Sequence, residues 1–120
     1  MKQESDVQDL LEAGLNLYFE NVNSEVAVED YAGSGGRIDL LINDINTAIE
    51  VKITRPNRSR SDLISEFAKA KEMYGEHSEV DQLYLFIYVS DVSQLPNGTE
   101  LRNDIEDKGE VLVRLIITPQ

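Results

Sequence analysis

The chain has 120 residues, contains no cysteine and carries a formal net charge of −12. This length fits one folded domain over residues 1–120, and the missing cysteines exclude disulfides and thiolate metal sites. No apolar run is long enough to cross a membrane, and the acidic N-terminus is unlike a signal peptide, so we expect a soluble cytoplasmic protein.

The first 75 residues predict a helix, three strands and a second helix. Apolar residues at three- and four-residue spacing favour an amphipathic helix from about Asp6 to Asn21. Residues Ser24–Tyr31 alternate as a first strand, and a glycine-rich turn and two further strands follow. The second helix is predicted to begin at Ser61 or Asp62 and to end at Gly75.

The remaining residues add two strands and one helix. Asp81–Ser90 is the most apolar run, rich in aromatic and branched residues, and predicts a buried central strand. A short charged helix is predicted from Thr99 to about Asp107, and a final strand over Glu110–Thr118. An antiparallel meander followed by a helical crossover into a further strand predicts an α/β fold with a mixed central sheet flanked by helices.

The segment Gly35–Arg55 reads as a β-hairpin. Apolar residues alternate with ionisable ones on both sides of the polar turn Asn43–Asn46. Centring the hairpin on this turn pairs residues whose numbers add to 89. Asp39 then faces Glu50, and the hairpin predicts two carboxylates on neighbouring strands.

Asp39 and Glu50 suggest a metal site, because facing carboxylates in a half-buried sheet repel each other unless a cation lies between them. Oxygen ligands suit Mg²⁺ or Mn²⁺, and Mg²⁺ typically takes one or two protein carboxylates and keeps several waters. Lys52, on the same face as Glu50 and opposite Arg37, could orient a water or stabilise developing negative charge. The simpler alternative is a surface ion pair of Asp39 with Lys52 or Arg37.

Basic residues are concentrated around this hairpin. Residues 37–71 carry seven basic and five acidic side chains, whereas the segments on either side each have a net charge of −7. A locally basic strip is what phosphate binding needs, even in an acidic protein. The expected contacts to a nucleic-acid backbone are Arg37, Arg55, Arg58 and Arg60. A solvated basic loop is the alternative for the last three.

The pattern of Asp39, ten intervening residues and then Glu50-Val51-Lys52 resembles the PD-(D/E)XK nuclease superfamily. The resemblance covers residues 1 to about 90, where the element order is similar to the αβββαβ core of the restriction-endonuclease-like fold. The predicted C-terminal helix and strand would extend that core. The chain looks most like small single-domain members, such as archaeal Holliday-junction resolvases and RecB-like nucleases.

The resemblance implies a Mg²⁺-dependent DNA endonuclease. The metal ligands and the residue that assists the attacking water would come from the hairpin: Asp39, Glu50, the Val51 carbonyl and Lys52. Many members add a glutamate from the first helix. By its position on the helix that residue would be Glu4, with Glu12 as the alternative.

One motif departs from the RecB-like pattern. Several of those families carry Gln-x-x-x-Tyr in the second helix. Tyr74 is present here, but Ala70 stands four residues before it. This departure leaves Lys69 or Lys71 as candidate nucleic-acid contacts.

The sequence therefore favours hydrolysis of DNA phosphodiesters, with RNA as an open alternative. Because the chain carries one predicted site, cutting both strands of a duplex would need a homodimer or a separate specificity subunit. A second hypothesis is a catalytically silent module with a nuclease fold, which binds nucleic acid or protein within a repair or defence complex.

Overall fold

A computed structural model describes residues 3–28, 36–56, 58–75, 80–94, 107–108 and 112–118. The helices are α1 (Glu4–Leu15) and α2 (Arg60–Gly75). The strands are β1 (Val22–Val28), β2 (Gly36–Ile42), β3 (Thr47–Ile53), β4 (Gln82–Tyr88), β5 (Asp107–Lys108) and β6 (Leu112–Thr118). Neither helix has the length and apolar composition needed to cross a membrane, within the part of the chain described.

The strands form one mixed sheet in the order β1-β2-β3-β4-β6-β5. Strands β1, β2 and β3 pair antiparallel as a meander, whereas β4 is parallel to both β3 and β6. Helix α2 makes the crossover from β3 to β4, as a parallel pair requires. The α/β restriction-endonuclease-like fold predicted from the sequence, with its αβββαβ core, is confirmed.

The hairpin has the predicted register. Leu40 pairs with Ile49, Leu41 with Ala48, and Ile42 with Thr47, so the paired numbers add to 89. The turn is one 3₁₀ segment, Asn43–Ile45, followed by Asn46 with φ 49°, a left-handed conformation that asparagine tolerates better than most residues. Its Asp44 accepts hydrogen bonds from the backbone N–H groups of Glu20 and Asn21, which joins the turn to the start of β1.

The sheet separates two apolar cores. On one side, α2 packs Leu63, Phe67, Ala70 and Met73 against residues of β4, among them Leu83, Leu85 and Ile87. On the other side, Val7 of α1 packs against Leu40 and Ile42 of β2 and Ile49 and Val51 of β3. Successive residues of β3 therefore face α1 and α2 in turn. Ile49, Val51 and Ile53 face the α1 side, whereas Glu50 and Lys52, which lie between them, face the α2 side.

Helix α1 ends at Leu15, six residues before the predicted end at Asn21. Gly14 weakens the last turn, and the chain must become extended by Val22 to pair with Ile42 of β2. Leu17 and Tyr18 consequently lie outside the helix and are 81% and 82% exposed.

The C-terminal prediction is confirmed in one part. The final strand is present as Leu112–Thr118. Residues 99–106 of the predicted helix lie outside the described residues. Asp107, the predicted helix end, instead belongs to the two-residue strand β5, which pairs antiparallel with β6.

Phe67 offers a test of the packing between α2 and the sheet. Its side chain is 2% exposed, so Phe67→Ala should lower the free energy of unfolding by about 3–5 kcal/mol through lost burial and a residual cavity. Urea unfolding would measure this change. The control Tyr18→Ala removes an exposed aromatic ring and should stay within about 0.5 kcal/mol of wild type. Equal effects of the two substitutions would contradict the assigned core.

Candidate active site

Strand β2 leaves its regular pairing with β3 at Asp39. The backbone ladder covers Leu40–Ile42 and Thr47–Ile49. Beyond it, Asp39 Oδ2 accepts a hydrogen bond from the backbone N–H of Val51 at 2.8 Å. A carboxylate thus satisfies a strand donor that a regular ladder would direct to a backbone carbonyl. This bond fixes the Asp39 carboxylate beside the residue that follows Glu50.

The other neighbour of Asp39 is distorted as well. The register of β1 with β2 places Glu25 opposite Asp39, because Ser24 pairs with Leu40 and Val26 with Ile38. Glu25 has φ 52°, a left-handed conformation that is uncommon in a strand for a residue other than glycine. Such strain persists only where surrounding contacts hold it, and it is concentrated at functional sites.

Contacts from α1 and β2 hold Glu25 in this conformation. The side-chain amide of Gln8, which is buried, donates a hydrogen bond to Glu25 Oε1 at 3.2 Å. Arg37 donates to the Glu25 backbone carbonyl at 3.4 Å. The sheet is therefore irregular on both sides of Asp39.

Glu50 and Lys52 extend from β3 toward α2. Lys52 Nζ lies 3.7 Å from Glu50 Oε2 and 3.6 Å from Glu66 Oε1. The side chains of Glu50 and Lys52 are only 12% and 15% exposed, so their charges are poorly screened by solvent. The pair of Glu50 and Lys52 is therefore largely buried, and it joins other residues than the surface pair of Asp39 with Lys52 or Arg37 that the sequence left open.

Arg58 is the centre of the charge network next to this pair. Its Nη1 donates to Glu4 Oε2 and to the Ile53 carbonyl, both at 2.8 Å. Its Nη2 donates to Glu66 Oε1 at 3.4 Å, and its Nε lies 3.2 Å from Glu66 Oε2. With a side chain only 10% exposed, Arg58 joins α1, β3 and α2.

Glu4 is held by two arginines and one backbone donor. Its Oε2 accepts from Arg58 and from the N–H of Ile53 at 3.0 Å, and its Oε1 lies 3.4 Å from Arg55 Nη2. Burial alone would raise the pKa of Glu4. The hydrogen bonds from Arg58 and Ile53, with the positive charges of Arg58 and Lys52, outweigh burial and hold that pKa below its ordinary value.

An open cleft of about 560 Å³ lies beside this network. Its lining comes from the loop after β3 and the first turns of α2: Arg55, Pro56, Arg58, Asp62, Ser65 and Glu66. Arg55 is 51% exposed, so its guanidinium remains accessible while it contacts Glu4. The cleft therefore combines an accessible cation with the buried charges around Lys52.

The predicted site residues fall into two groups. The structure brings together residues of α1, β2, β3 and the loop after β3: Glu4, Asp39, Glu50, Val51, Lys52, Arg55 and Arg58. Arg37 of β2 is exposed and instead donates to the Glu25 backbone carbonyl. Lys69 lies on the exposed surface of α2, and Lys71 is partly buried. Glu12 lies on α1 and is partly buried. The side chains of Arg60 and Tyr74 are outside the described part.

Sequence reasoning missed Glu66. It lies three residues after Leu63 and one before Phe67, so it falls at the edge of the buried stripe of α2, with its side chain 35% exposed. A charged residue on an apolar stripe was the available signal, since it needs a charged partner inside the protein. The charged partners of Glu66 are Lys52 of β3 and Arg58 of the loop after β3.

The donor set fits a small divalent cation. Asp39 and Glu50 supply hard carboxylate oxygens, and only Oδ2 of Asp39 takes part in its bond to Val51. No group of three or more potential metal-ligating side chains occurs among the described residues. Mg²⁺ typically takes one or two protein carboxylates and retains waters for the rest of its shell, so the carboxylates of Asp39 and Glu50 suit it by their chemistry. The role of Glu4 as a third ligand stays a prediction, because it would require Glu4 to exchange its arginine partners.

Comparison with known protein families gives a match over the whole chain. The family model REase_DpnII-MboI, which describes DpnII-MboI restriction endonucleases, matches residues 1–120. This match is consistent with the resemblance to the PD-(D/E)XK superfamily. No curated protein and no solved structure matches the chain significantly.

Arg58 and Arg55 should differ in their roles. Arg58→Ala would leave Glu4 and Glu66 without their shared counter-charge, and we expect it to lower the free energy of unfolding by about 2–4 kcal/mol. Arg55→Ala should change stability by no more than about 0.5 kcal/mol, yet weaken DNA binding and reduce its salt slope by about 1. Urea unfolding and fluorescence anisotropy would measure these effects. A stable Arg58→Ala protein would contradict the structural role.

Glu4 should make stability depend on pH. Because its pKa is lower in the folded protein, the unfolded chain binds more protons, and ionised Glu4 stabilises the fold above the ordinary value of 4.5. This contribution is lost as the pH falls through the folded pKa. Urea unfolding of wild type and Glu4→Gln, from about pH 7 to about pH 3, should show a difference that shrinks with acidity. A difference that stays the same over this pH range would contradict it.

Proposed function

The chain belongs to the DpnII-MboI family of restriction endonucleases, and we propose that it hydrolyses DNA phosphodiesters with Mg²⁺ or Mn²⁺ at Asp39, Glu50 and Lys52. The family is one of endonucleases that act on DNA, which favours DNA over RNA as substrate. The metal and the residue roles are the parts that this proposal adds.

The observation that supports the proposal best is the bond between Asp39 and the Val51 N–H. It brings a carboxylate of β2 against β3 at the point where β3 carries Glu50 and Lys52. An acidic pair and one ammonium group in a partly buried place form the arrangement that metal-assisted phosphodiester hydrolysis needs. On a solvated hairpin face, the Val51 N–H would be expected to pair with a backbone carbonyl rather than with a carboxylate.

Each residue has a definite task in this proposal. Asp39, Glu50 and the Val51 carbonyl would hold the cation, which would supply positive charge to stabilise the phosphate as negative charge develops on it. Lys52, with its Nζ held 3.7 Å from Glu50, would orient the attacking water and stabilise developing negative charge. Arg55 at the mouth of the cleft would contact a neighbouring phosphate and position the backbone.

The proposal includes a second copy or another subunit. One chain provides one set of Asp39, Glu50 and Lys52, and the two strands of a duplex run in opposite directions. Cutting both strands would therefore use a homodimer or a separate specificity subunit that presents each strand to its own site.

Cleavage assays test the proposal directly. Wild type and Lys52→Ala would be incubated with plasmid, linear duplex, single-stranded and four-way-junction DNA, with Mg²⁺, with Mn²⁺ and with EDTA. We expect metal-dependent cutting by wild type and a loss of at least about a hundredfold in Lys52→Ala, since general acid–base and electrostatic groups contribute on this scale. The preferred substrate would define the specificity.

The control is Lys69→Ala, which removes the same charge from the exposed surface of α2. It should lower DNA affinity at most and leave the rate at saturating DNA intact. If folded wild-type protein cuts no substrate with either metal, the catalytic proposal is wrong. The alternative of a catalytically silent binding module would then be preferred.

A further inference from the structure

Glu66 of α2 contacts two cations of the candidate active site. Its Oε1 lies 3.6 Å from Lys52 Nζ and 3.4 Å from Arg58 Nη2. Its Oε2 is buried and accepts no hydrogen bond in the described part, although the charged Arg58 Nε lies 3.2 Å away. The charge of Arg58 compensates for the burial of this oxygen, so the Glu66 carboxylate is held in place beside Lys52.

Lys52 needs an anchor that does not depend on Glu50. A lysine side chain is long and flexible, and an ammonium 3.7 Å from Glu50 is held there by the Glu50 charge. A divalent cation at Glu50 would neutralise that charge and repel the ammonium. Glu66 approaches Lys52 from α2 rather than from β3. It would still attract the Lys52 ammonium when a divalent cation neutralises Glu50.

Arg58 fixes Glu66 in turn. Its guanidinium spans both carboxylate oxygens of Glu66, and its other nitrogen is tied to Glu4 and the Ile53 carbonyl. The carboxylate of Glu66 is therefore attached through Arg58 to β3, the same strand that carries Lys52. This connection gives Glu66 a fixed place from which to hold a mobile side chain.

We propose that Glu66 is a positioning residue for Lys52, which keeps the Lys52 ammonium at the active site when a divalent cation occupies the carboxylates of Asp39 and Glu50. This inference rests on the proposed nuclease function and deepens it. In this role Glu66 acts through Lys52 and does not itself contact the scissile phosphate.

Glu66→Gln is the central variant, because it keeps the size of the side chain and removes its charge. At saturating DNA, we expect the single-turnover cleavage rate to fall by about tenfold or more, with DNA affinity unchanged, since a small misplacement of a catalytic group has effects of this size. Glu66→Asp, which keeps the charge opposite Arg58, should fold and show an intermediate rate. Glu72→Gln, on the exposed surface of the same helix, is the matched control and should cleave as wild type.

A second readout needs no catalysis. Melting temperatures of Lys52→Met, Glu66→Gln and the double variant would be compared, and Glu66→Ala, which also removes the carboxylate, would replace Glu66→Gln if the latter does not fold. If the two side chains attract each other, the double variant should melt above the temperature predicted from adding the two single decreases. Additive decreases would overturn the inference.

The outcomes separate the inference from the proposed function. A wild-type rate for Glu66→Gln at saturating DNA would overturn the positioning role alone. A loss of DNA binding with an unchanged rate would also overturn it, because the effect would then concern the substrate. Absence of cleavage by wild type would overturn the proposed function and this inference with it.

Discussion

The bond from the Val51 N–H to the Asp39 carboxylate is the interaction on which the candidate site depends. In a regular hairpin the side chains of Asp39 and Glu50 would stand above the sheet and backbone groups would pair beneath them. Here the carboxylate itself takes the strand donor, so it lies close to the plane of the sheet. The Glu50 and Lys52 side chains then share the space between β3 and α2, where they are largely shielded from solvent. A backbone hydrogen bond between β2 and β3 is thus replaced by one that holds an acidic side chain at the site.

The charges around this site explain how an acidic protein can act on an anionic polymer. The most buried cations of the basic strip, Lys52 and Arg58, are paired internally with Glu50, Glu66 and Glu4. They stabilise the site and add little to the attraction of DNA. Long-range attraction must come from exposed groups such as Arg55, and the proposed divalent cation would reduce the repulsion between phosphate and carboxylates.

Much of the fold follows from local patterns, whereas the surroundings of the site do not. Alternation and turn composition were sufficient for the register of the hairpin, because a slip of one residue would turn its apolar face to solvent. The same patterns were sufficient to predict that Asp39 and Glu50 lie on adjacent strands. The end of α1 was missed, since Val22 fits the helical stripe but is needed in β1. Tertiary pairing overrode helical periodicity there.

The network of Glu4, Arg58 and Glu66 could not be predicted for a different reason. Its members come from α1, from the loop after β3 and from α2, so their contacts depend on how three elements pack. A basic loop indicates phosphate contacts, but a sequence does not distinguish the exposed Arg55 from the buried Arg58. Partners far apart in the chain decide which arginine remains accessible.

Strand β1 lies at an outer edge of the described sheet, where a free row of N–H and C=O groups can recruit strands from other molecules. The left-handed residue Glu25 interrupts this row in the middle of β1, because it turns the neighbouring peptide groups out of the regular direction. Its charge adds to the obstacle, since charged residues on an edge strand oppose pairing. An incoming strand therefore cannot pair along the whole of β1. The backbone irregularity beside Asp39 also protects this edge from aggregation.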